Sequence, residues 1–484
     1  MRKLKKMISE DLKKKTEVDF TFDNSKIKIE GKYIPHKIKV HKLIKVIPLT
    51  ILSIICCIGL CIITLPILAS ISVKNNFQLG KKRFSINELR LMESSTLQKI
   101  GEVSYPDGTR QKYDIDESYR QSFNEFSNKI FRKLKNDFSP ISLFSCLNMI
   151  SLSSNDQETK DLFDSLLSLE ALSEEERQSN YQKMYLSDYF CNDEGTIQMY
   201  NSTFLTNEYE YNPQFVNQLV NYYSEVYQID FNDTKAVNQI IKWMEQATDQ
   251  KDIINREDLE IDDDTAALFF STFYFNNNWE TKYYTRKSHH NDFYNLDGSI
   301  SRVKFMNHSY KGDFFEHDDY ICAYDKYKND LEIKYILPKK DKSLSDLIES
   351  KDLLSRDEKN FNSYKIIDLT VPIFSKKTEA NFNQTLKELG LEKVFNRYSK
   401  SLNKAFINLE DDVSVYLNYV KQKNQISFSE SGTIIKSITV SGIKRSMSSA
   451  PELEVVKITL NQPFIYVIYD HNKLPIYVGR VNSL

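Results

Sequence analysis

Between Lys45 and Lys74 the chain carries no charge: residues 46–73, bounded by Val46 and Val73, form a run of 28 uncharged and mostly apolar residues. A bilayer core takes about 20 apolar residues as helix, because in lipid every backbone N–H and C=O must be satisfied within the segment. The run therefore predicts a transmembrane helix, long enough to span with some tilt. Pro48 stands at its start, where a missing N–H costs little, and Pro66 kinks or ends it, leaving a hydrophobic span from Leu49 to about Leu68. A cleaved signal peptide would end near Ala69 and Ser70, but its charged leader would be 45 residues long. Signal peptides have short leaders, so an uncleaved signal anchor is expected. Lys37, Lys39, Lys42 and Lys45 on the N-terminal flank predict a cytoplasmic tail and a single-pass type II membrane protein with its C-terminal domain extracellular or luminal. Lys74, Lys81, Lys82 and Arg83 oppose that bias, and the last three offer a site for proteolytic release of the domain.

The net charge of −2 conceals an asymmetry: residues 1–45 hold 14 Lys/Arg against 6 Asp/Glu, leaving 51 against 61 for the remainder. The tail's charges are scattered among Ile, Val and Phe without a nucleic-acid-binding signature, so no nucleic-acid partner is expected. With 40% hydrophobic and 12% aromatic residues, the rest can bury a sizeable core. Of six cysteines, Cys56, Cys57 and Cys61 lie in the apolar run and Cys146, Cys191 and Cys322 beyond it, which is no disulfide framework. Sequons begin at Asn201, Asn232, Asn307 and Asn383, and those at Asn232, Asn307 and Asn383 are the glycosylation candidates.

Residues 74–117 are polar and weakly periodic, with a Pro106-Asp107-Gly108 turn, and read as a stalk. Phe123, Phe126, Ile130, Phe131 and Leu134 then recur at helical spacing, and Phe138-Ser139-Pro140 opens a second apolar helix through Leu152. The acidic stretch 155–194 predicts a solvated face, and helices are expected over 215–227 and 237–247. Strand-like runs follow at Phe269-Phe270, Phe273-Tyr274-Phe275, 331–337, 464–469 and 475–478. Helices first and strands later predict an α+β domain with mostly antiparallel pairing.

No Gly-rich phosphate loop, Cys/His zinc spacing or Gly-x-Ser-x-Gly nucleophile motif occurs. Asp262-Asp263-Asp264 lacks the ligand spacing of a calcium loop, and His289-His290 reads as an exposed turn. Neither an enzyme nor a cofactor or metal is expected.

Several short motifs recur in one order from about Ser118 to Leu484. Phe138-Ser139-Pro140 with Ser142, Leu147, Met149, Ser151 and Leu152 forms one block; Tyr222-Tyr223 with 229–233, Ile240 and Trp243 forms another. Phe273-Tyr274-Phe275 with Trp279 follows, then Val371-Pro372-Ile373-Phe374 with 386–390 and Phe395. The C-terminal fifth adds Gly432-Thr433, a long loop ending in bases, Gln462-Pro463-Phe464 and Gly479-Arg480-Val481-Asn482. Together these resemble the serpin family, the first block its helix B and the last its reactive loop and terminal strands. The resemblance implies a large mostly antiparallel sheet A, further sheets B and C, about eight to nine helices and an exposed reactive loop at about 430–459, in a serpin domain spanning 118–484. It further implies a monomer without cofactor that inhibits a serine protease by covalent trapping. Trp279 would mark the breach, where the loop first enters sheet A. The shutter, where the strands part, would comprise Ser139 and Ser142 with Ser271 and Gln422 at positions the family usually fills with Asn and His.

A loop that enters a sheet must present small or apolar residues to the core. From Thr433 one alternating face reads Thr433, Ile435, Ser437, Thr439 and Ser441, without charge, while Lys436 falls on the other face. Glu430 and Gly432 suit a mobile hinge; Ile434 to Ile438 is bulkier than the family's usual run of small residues. Counting by the family's loop length places the scissile bond at Ser446-Met447, one residue after Lys444-Arg445. A trypsin-like enzyme, with an acidic specificity pocket, would cut after Arg445, making Arg445-Ser446 the expected reactive bond with Lys444 as the fallback. The alternative is a non-inhibitory serpin that serves as a binding or structural module at the membrane.

Overall fold

The structure, a computed structural model, describes residues 94–248, 254–340, 342–357, 364–434 and 455–484. All lie in one compact unit, Phe84–Leu484. The basic tail, the apolar run 46–73, the Lys81, Lys82 and Arg83 site and the tip of the C-terminal loop lie outside the described residues. Among the described residues, no helix is long and apolar enough to cross a membrane.

Eight α-helices are present among the described residues: α1 Glu117–Lys133, α2 Pro140–Ser151, α3 Gln157–Leu167, α4 Glu174–Ser187, α5 Pro213–Asn221, α6 Thr234–Thr248, α7 Leu344–Ser350 and α8 Asn383–Leu386. The Ser139 hydroxyl caps α2 by accepting from the Ser142 N–H, and Pro140 fills the first turn, where its missing N–H is harmless. Ile141, Leu143, Phe144, Leu147 and Met149 bury every side of α2, as expected of a helix inside a core. It packs against β6 Ala267–Asn278, β3 Gly195–Thr206 and β18 Pro475–Val481.

The large sheet runs in the order β1 (Leu97–Gly101), β5 (Ser224–Ile229), β3, β6, β15 (Gly432–Ile434), β14 (Lys421–Phe428) and β12 (Ser375–Asn381), with β2 (Phe190–Cys191) on β3. All its pairs are antiparallel except β3 with β5. A second large sheet orders β16 (Val455–Thr459), β11 (Tyr364–Pro372), β8 (Ile300–Glu316), β9 (Tyr320–Lys326), β10 (Glu332–Pro338), β17 (Phe464–Tyr469) and β18, with β7 (His289–Tyr294) on β8. A small pair joins β13 (Phe406–Ile407) to β4 (Glu210–Tyr211). β17 and β18 are buried at every position, which is why they read as continuous apolar runs rather than alternating ones.

Four readings of the sequence differ from this arrangement. Helices do not precede strands, because β1 comes before every helix and β2 to β5 fall between α4 and α6. His289-His290 opens β7 rather than forming a turn. The helix expected over 215–227 ends at Asn221; Tyr223 turns left-handed at φ 57°, and Ser224–Ile229 continues as a strand. The apolar residues of that strand satisfy a helical period as readily as a two-residue one, so periodicity could not separate them. The segment read as a stalk contains β1, with Leu97 fully buried opposite Ile229, and Val103 and Ile115 also buried. Its partner strand is more than 120 residues distant, and no local signal announces such a pairing.

Candidate functional site

Three residues of the C-terminal loop, β15, form the top of a strand between β6 and β14. Gly432, Thr433 and Ile434 stand opposite Asn278, Asn277 and Asn276 on one side; Thr433 and Ile434 stand opposite Phe428 and Ser427 on the other. A Cβ on Gly432 would lie 2.2 Å from the Asn277 carbonyl oxygen, so only glycine permits the strands to approach here. Thr433 is fully buried and its Oγ1 lies 2.6 Å from the Tyr327 hydroxyl.

Trp279 supports this entry. Its indole is buried and stacked on Tyr327 with ring centroids 4.4 Å apart. The Trp279 Nε1–H donates to the Ser429 carbonyl at 2.9 Å and its backbone N–H to the Ser431 carbonyl at 3.1 Å. The Ser429 hydroxyl donates to the Gly432 carbonyl at 2.9 Å, closing the turn between β14 and β15. Glu430 accepts from Lys304 Nζ at 2.8 Å and from the Ser288 hydroxyl at 3.1 Å.

Partial burial pushes the Glu430 carboxyl up, but the bonds from Lys304 and Ser288 and its own backbone outweigh this and hold it below the ordinary carboxylate range. A depressed acid contributes stability above its unfolded pKa and loses it as pH falls through the folded value. The hinge anchor is thus complete at neutral pH and released only on acidification below the ordinary glutamate range. Amide exchange at Ser431, Gly432 and Thr433 is expected to accelerate across that range, and Lys304→Met to remove much of the acid dependence.

Below Ile434 the two flanking strands part. The gap is a cavity of about 250 Å³ whose walls include Phe269, Ser271, Phe273, Tyr419, Gln422, Ser142 and Cys146. The N-terminal end of α2 bonds to both sides. The Ser142 hydroxyl donates to the Ser271 carbonyl of β6 at 2.7 Å. On the β14 side, Gln422 Oε1 accepts from the Ser139 N–H at 2.7 Å and its Nε2 donates to the Ser139 carbonyl at 3.3 Å. The Ser139 hydroxyl donates to the Ile476 carbonyl at 2.9 Å. Ser139, Ser142, Ser271 and Gln422 therefore meet at one place, although the Ser271 hydroxyl itself has no protein partner. Burial pushes the Cys146 thiol up to about 12, which disfavours its thiolate.

Ile435, Ser437, Thr439, Lys444, Arg445, Ser446 and Met447 lie outside the described residues. Sequence reasoning missed Tyr327, Tyr283, Lys304 and Ser288 as hinge contacts. They sit on strands and turns 100 or more residues before the hinge, and nothing in their local pattern marks them. Among the sequons, Asn232 is exposed just before α6, whereas Asn201 is fully buried in β3. Asn307 spends its Nδ2 on Asp368, Leu369 and Thr370, and Asn383 donates to the Asn418 carbonyl.

Comparison with known proteins gives a consistent picture. The family model described as "Serpin (serine protease inhibitor)" matches residues 121–484. Plasminogen activator inhibitor 1 of Neovison vison is 27% identical over 272 residues, covering 53% of this chain and 64% of that protein. The chain thus spans less than two-thirds of that relative's length. Alpha-1-antiproteinase 2 of Equus caballus is 25% identical over 353 residues, covering 71% of this chain and 80% of the relative. Among solved structures, the native state of the thermophilic serpin tengpin superimposes with a TM-score of 0.68 at 23% identity, covering 80% of this chain and all of that one.

Proposed function

The chain belongs to the serpin family, a family of serine protease inhibitors rather than enzymes, and from that premise we propose that it traps a trypsin-like protease through cleavage at Arg445-Ser446. The observation that carries this reading is the three-residue strand β15 at the head of the cavity lined by β6 and β14. Serpin loop insertion is itself the type example of strand addition that releases stored strain. Continuing the observed register downward sets Ile435 opposite Phe275, Ser437 opposite Phe273 and Thr439 between Ser271 and Gln422. Thr439 would arrive where Ser142 and Ser139 now hold the two strands, exchanging those bonds for a new ladder. Each ladder bond contributes on the order of 1 kcal/mol net, with apolar burial in addition. In the same register Ile443 reaches Ala267, the first residue of β6 and its end farthest from the hinge, and Arg445 lies two residues beyond it. A protease acylated there would be carried past the far end of the strand.

The test is to mix the full chain with trypsin and look for a denaturant-resistant covalent complex, sequencing the released C-terminal fragment. A complex with a fragment beginning at Ser446 is the expected result. The non-inhibitory reading is favoured by the bulk of Ile434, Ile435 and Ile438: Ile435 would enter between Phe275 and Ile426, and slow insertion lets the enzyme hydrolyse and leave. Clean cleavage with no complex and no thermal stabilisation would establish it.

We place the inhibitor on a membrane, held by residues 46–73 with the serpin domain outside; the uncharged length of that run is the support. The full chain is expected to stay in the membrane fraction after alkaline carbonate extraction, and release into the carbonate supernatant would overturn the anchor. Asn232, exposed in a turn, is the sequon best placed to carry a glycan.

A further inference from the structure

A second polar cluster, remote from the hinge in sequence, joins the end of α4 to the turn between β17 and β18. Asp188 is the C-cap of α4; it is fully buried and neither carboxylate oxygen has a hydrogen-bond donor. Asp470 opens the turn, also fully buried. Its Oδ1 accepts from the Leu474 N–H at 2.7 Å, while Oδ2 has no donor. The two carboxylates face each other. Beside them, His471 Nε2 lies 3.2 Å from the Tyr113 carbonyl, which can only accept. The proton is therefore on Nε2, and Nδ1 presents a buried lone pair without a donor. One ligand atom from each of Asp188, Asp470 and His471 lies within 4.8 Å of the other two.

Unpaired buried carboxylates are costly, and two of them facing each other are relieved by a shared proton or by a cation between them. We propose that Asp188, Asp470 and His471 bind one divalent cation of the zinc class. One imidazole nitrogen and two carboxylate oxygens form a donor set suited to such an ion, with a fourth position left open. The histidine has the arrangement typical of a ligand, its second nitrogen fixed by a backbone carbonyl.

Arg110 must be accounted for, because its positive charge acts on all three residues. Its guanidinium stacks over Phe190 at 4.5 Å, and Nε, Nη1 and Nη2 are buried without acceptors. A dication, two carboxylates and Arg110 sum to one positive charge. A monoanion in the open position, such as hydroxide or chloride, closes the sum to zero and supplies the acceptor that Arg110 lacks. The ion would tie together α4, the terminal hairpin and the segment around Tyr113, which Asn472 also holds through its Nδ2 at 3.1 Å.

The full chain, stripped with a chelator, is to be titrated with Zn²⁺ and separately with Co²⁺. Elemental analysis after desalting should give one zinc per chain, and Co²⁺ should give a visible absorption band of a low-symmetry, few-coordinate ion. Free zinc at a hundred times its dissociation constant should raise Tm by about 3 °C. Asp188→Asn and His471→Ala should each weaken binding at least about tenfold; the second residue is partly exposed, so its variant remains foldable. Two results overturn the proposal. One is zinc binding equal in both variants and the parent. The other is no zinc bound by the parent chain; a higher Tm for Asp188→Asn at neutral pH would then mean that the carboxyl pair shares a proton instead.

Discussion

Thr433→Glu should abolish covalent trapping while leaving the loop open to cleavage. Thr433 is fully buried between Asn277 and Phe428, with its hydroxyl against Tyr327. No cation is among those neighbours, so a carboxylate there would be desolvated without compensation, at a cost of several kcal/mol. In the parent Thr433 already stands in the sheet, so this cost would hold the variant's hinge out of it and fall on re-entry, the first step of insertion. Each 1.4 kcal/mol is a factor of ten, and about 3 kcal/mol lowers the insertion rate about a hundredfold. The acyl-enzyme would then hydrolyse before the loop enters. The checks are the yield of denaturant-resistant complex with trypsin and the Tm after loop cleavage: both should fall to the level of an ordinary substrate. A variant that still forms complex at the parent yield would sink the insertion mechanism for this chain.

Trp279→Ala is expected to be the most destabilising single change at the site, by about 3–5 kcal/mol, because it empties a buried indole from a packed aromatic group. Trp279 stacks on Tyr327 and tilts against Tyr283 and Phe428, with centroids at 4.4, 5.4 and 6.4 Å. It also removes the Nε1 donor to the Ser429 carbonyl, leaving that carbonyl without this bond. Denaturant unfolding should show the loss directly. Faster amide exchange is expected at Ser431 and Gly432, whose turn the indole holds, than in α1, which it does not touch. Trp279→Phe should recover most of the packing and none of the hydrogen bond, separating the two contributions.

Much of this architecture was legible along the chain. Helical spacing from Phe123 to Leu134, the Ser139-Pro140 helix start and the apolar runs of β17 and β18 are local patterns, and each predicts its element because burial of one face or all faces leaves a period in the sequence. The charge-free alternation from Thr433 likewise identifies which loop face suits a core, and Thr433 itself points inward. The boundary between α5 and β5 was not legible, because the apolar residues of 222–229 fit both periods and only the left-handed turn at Tyr223 separates them.

The sequence by itself determined the uncharged run 46–73, the two apolar helices that follow residue 117, and the residue types gathered at hinge and shutter. Tertiary structure alone decided how far the hinge enters sheet A, that Lys304 and Tyr327 hold it, and that Leu97 leaves the expected stalk to extend the sheet edge. Hydrogen-bond partners more than 100 residues apart leave no period in the chain. They are selected by which backbone groups the finished sheet leaves unpaired, and that becomes known only when the strands are in register.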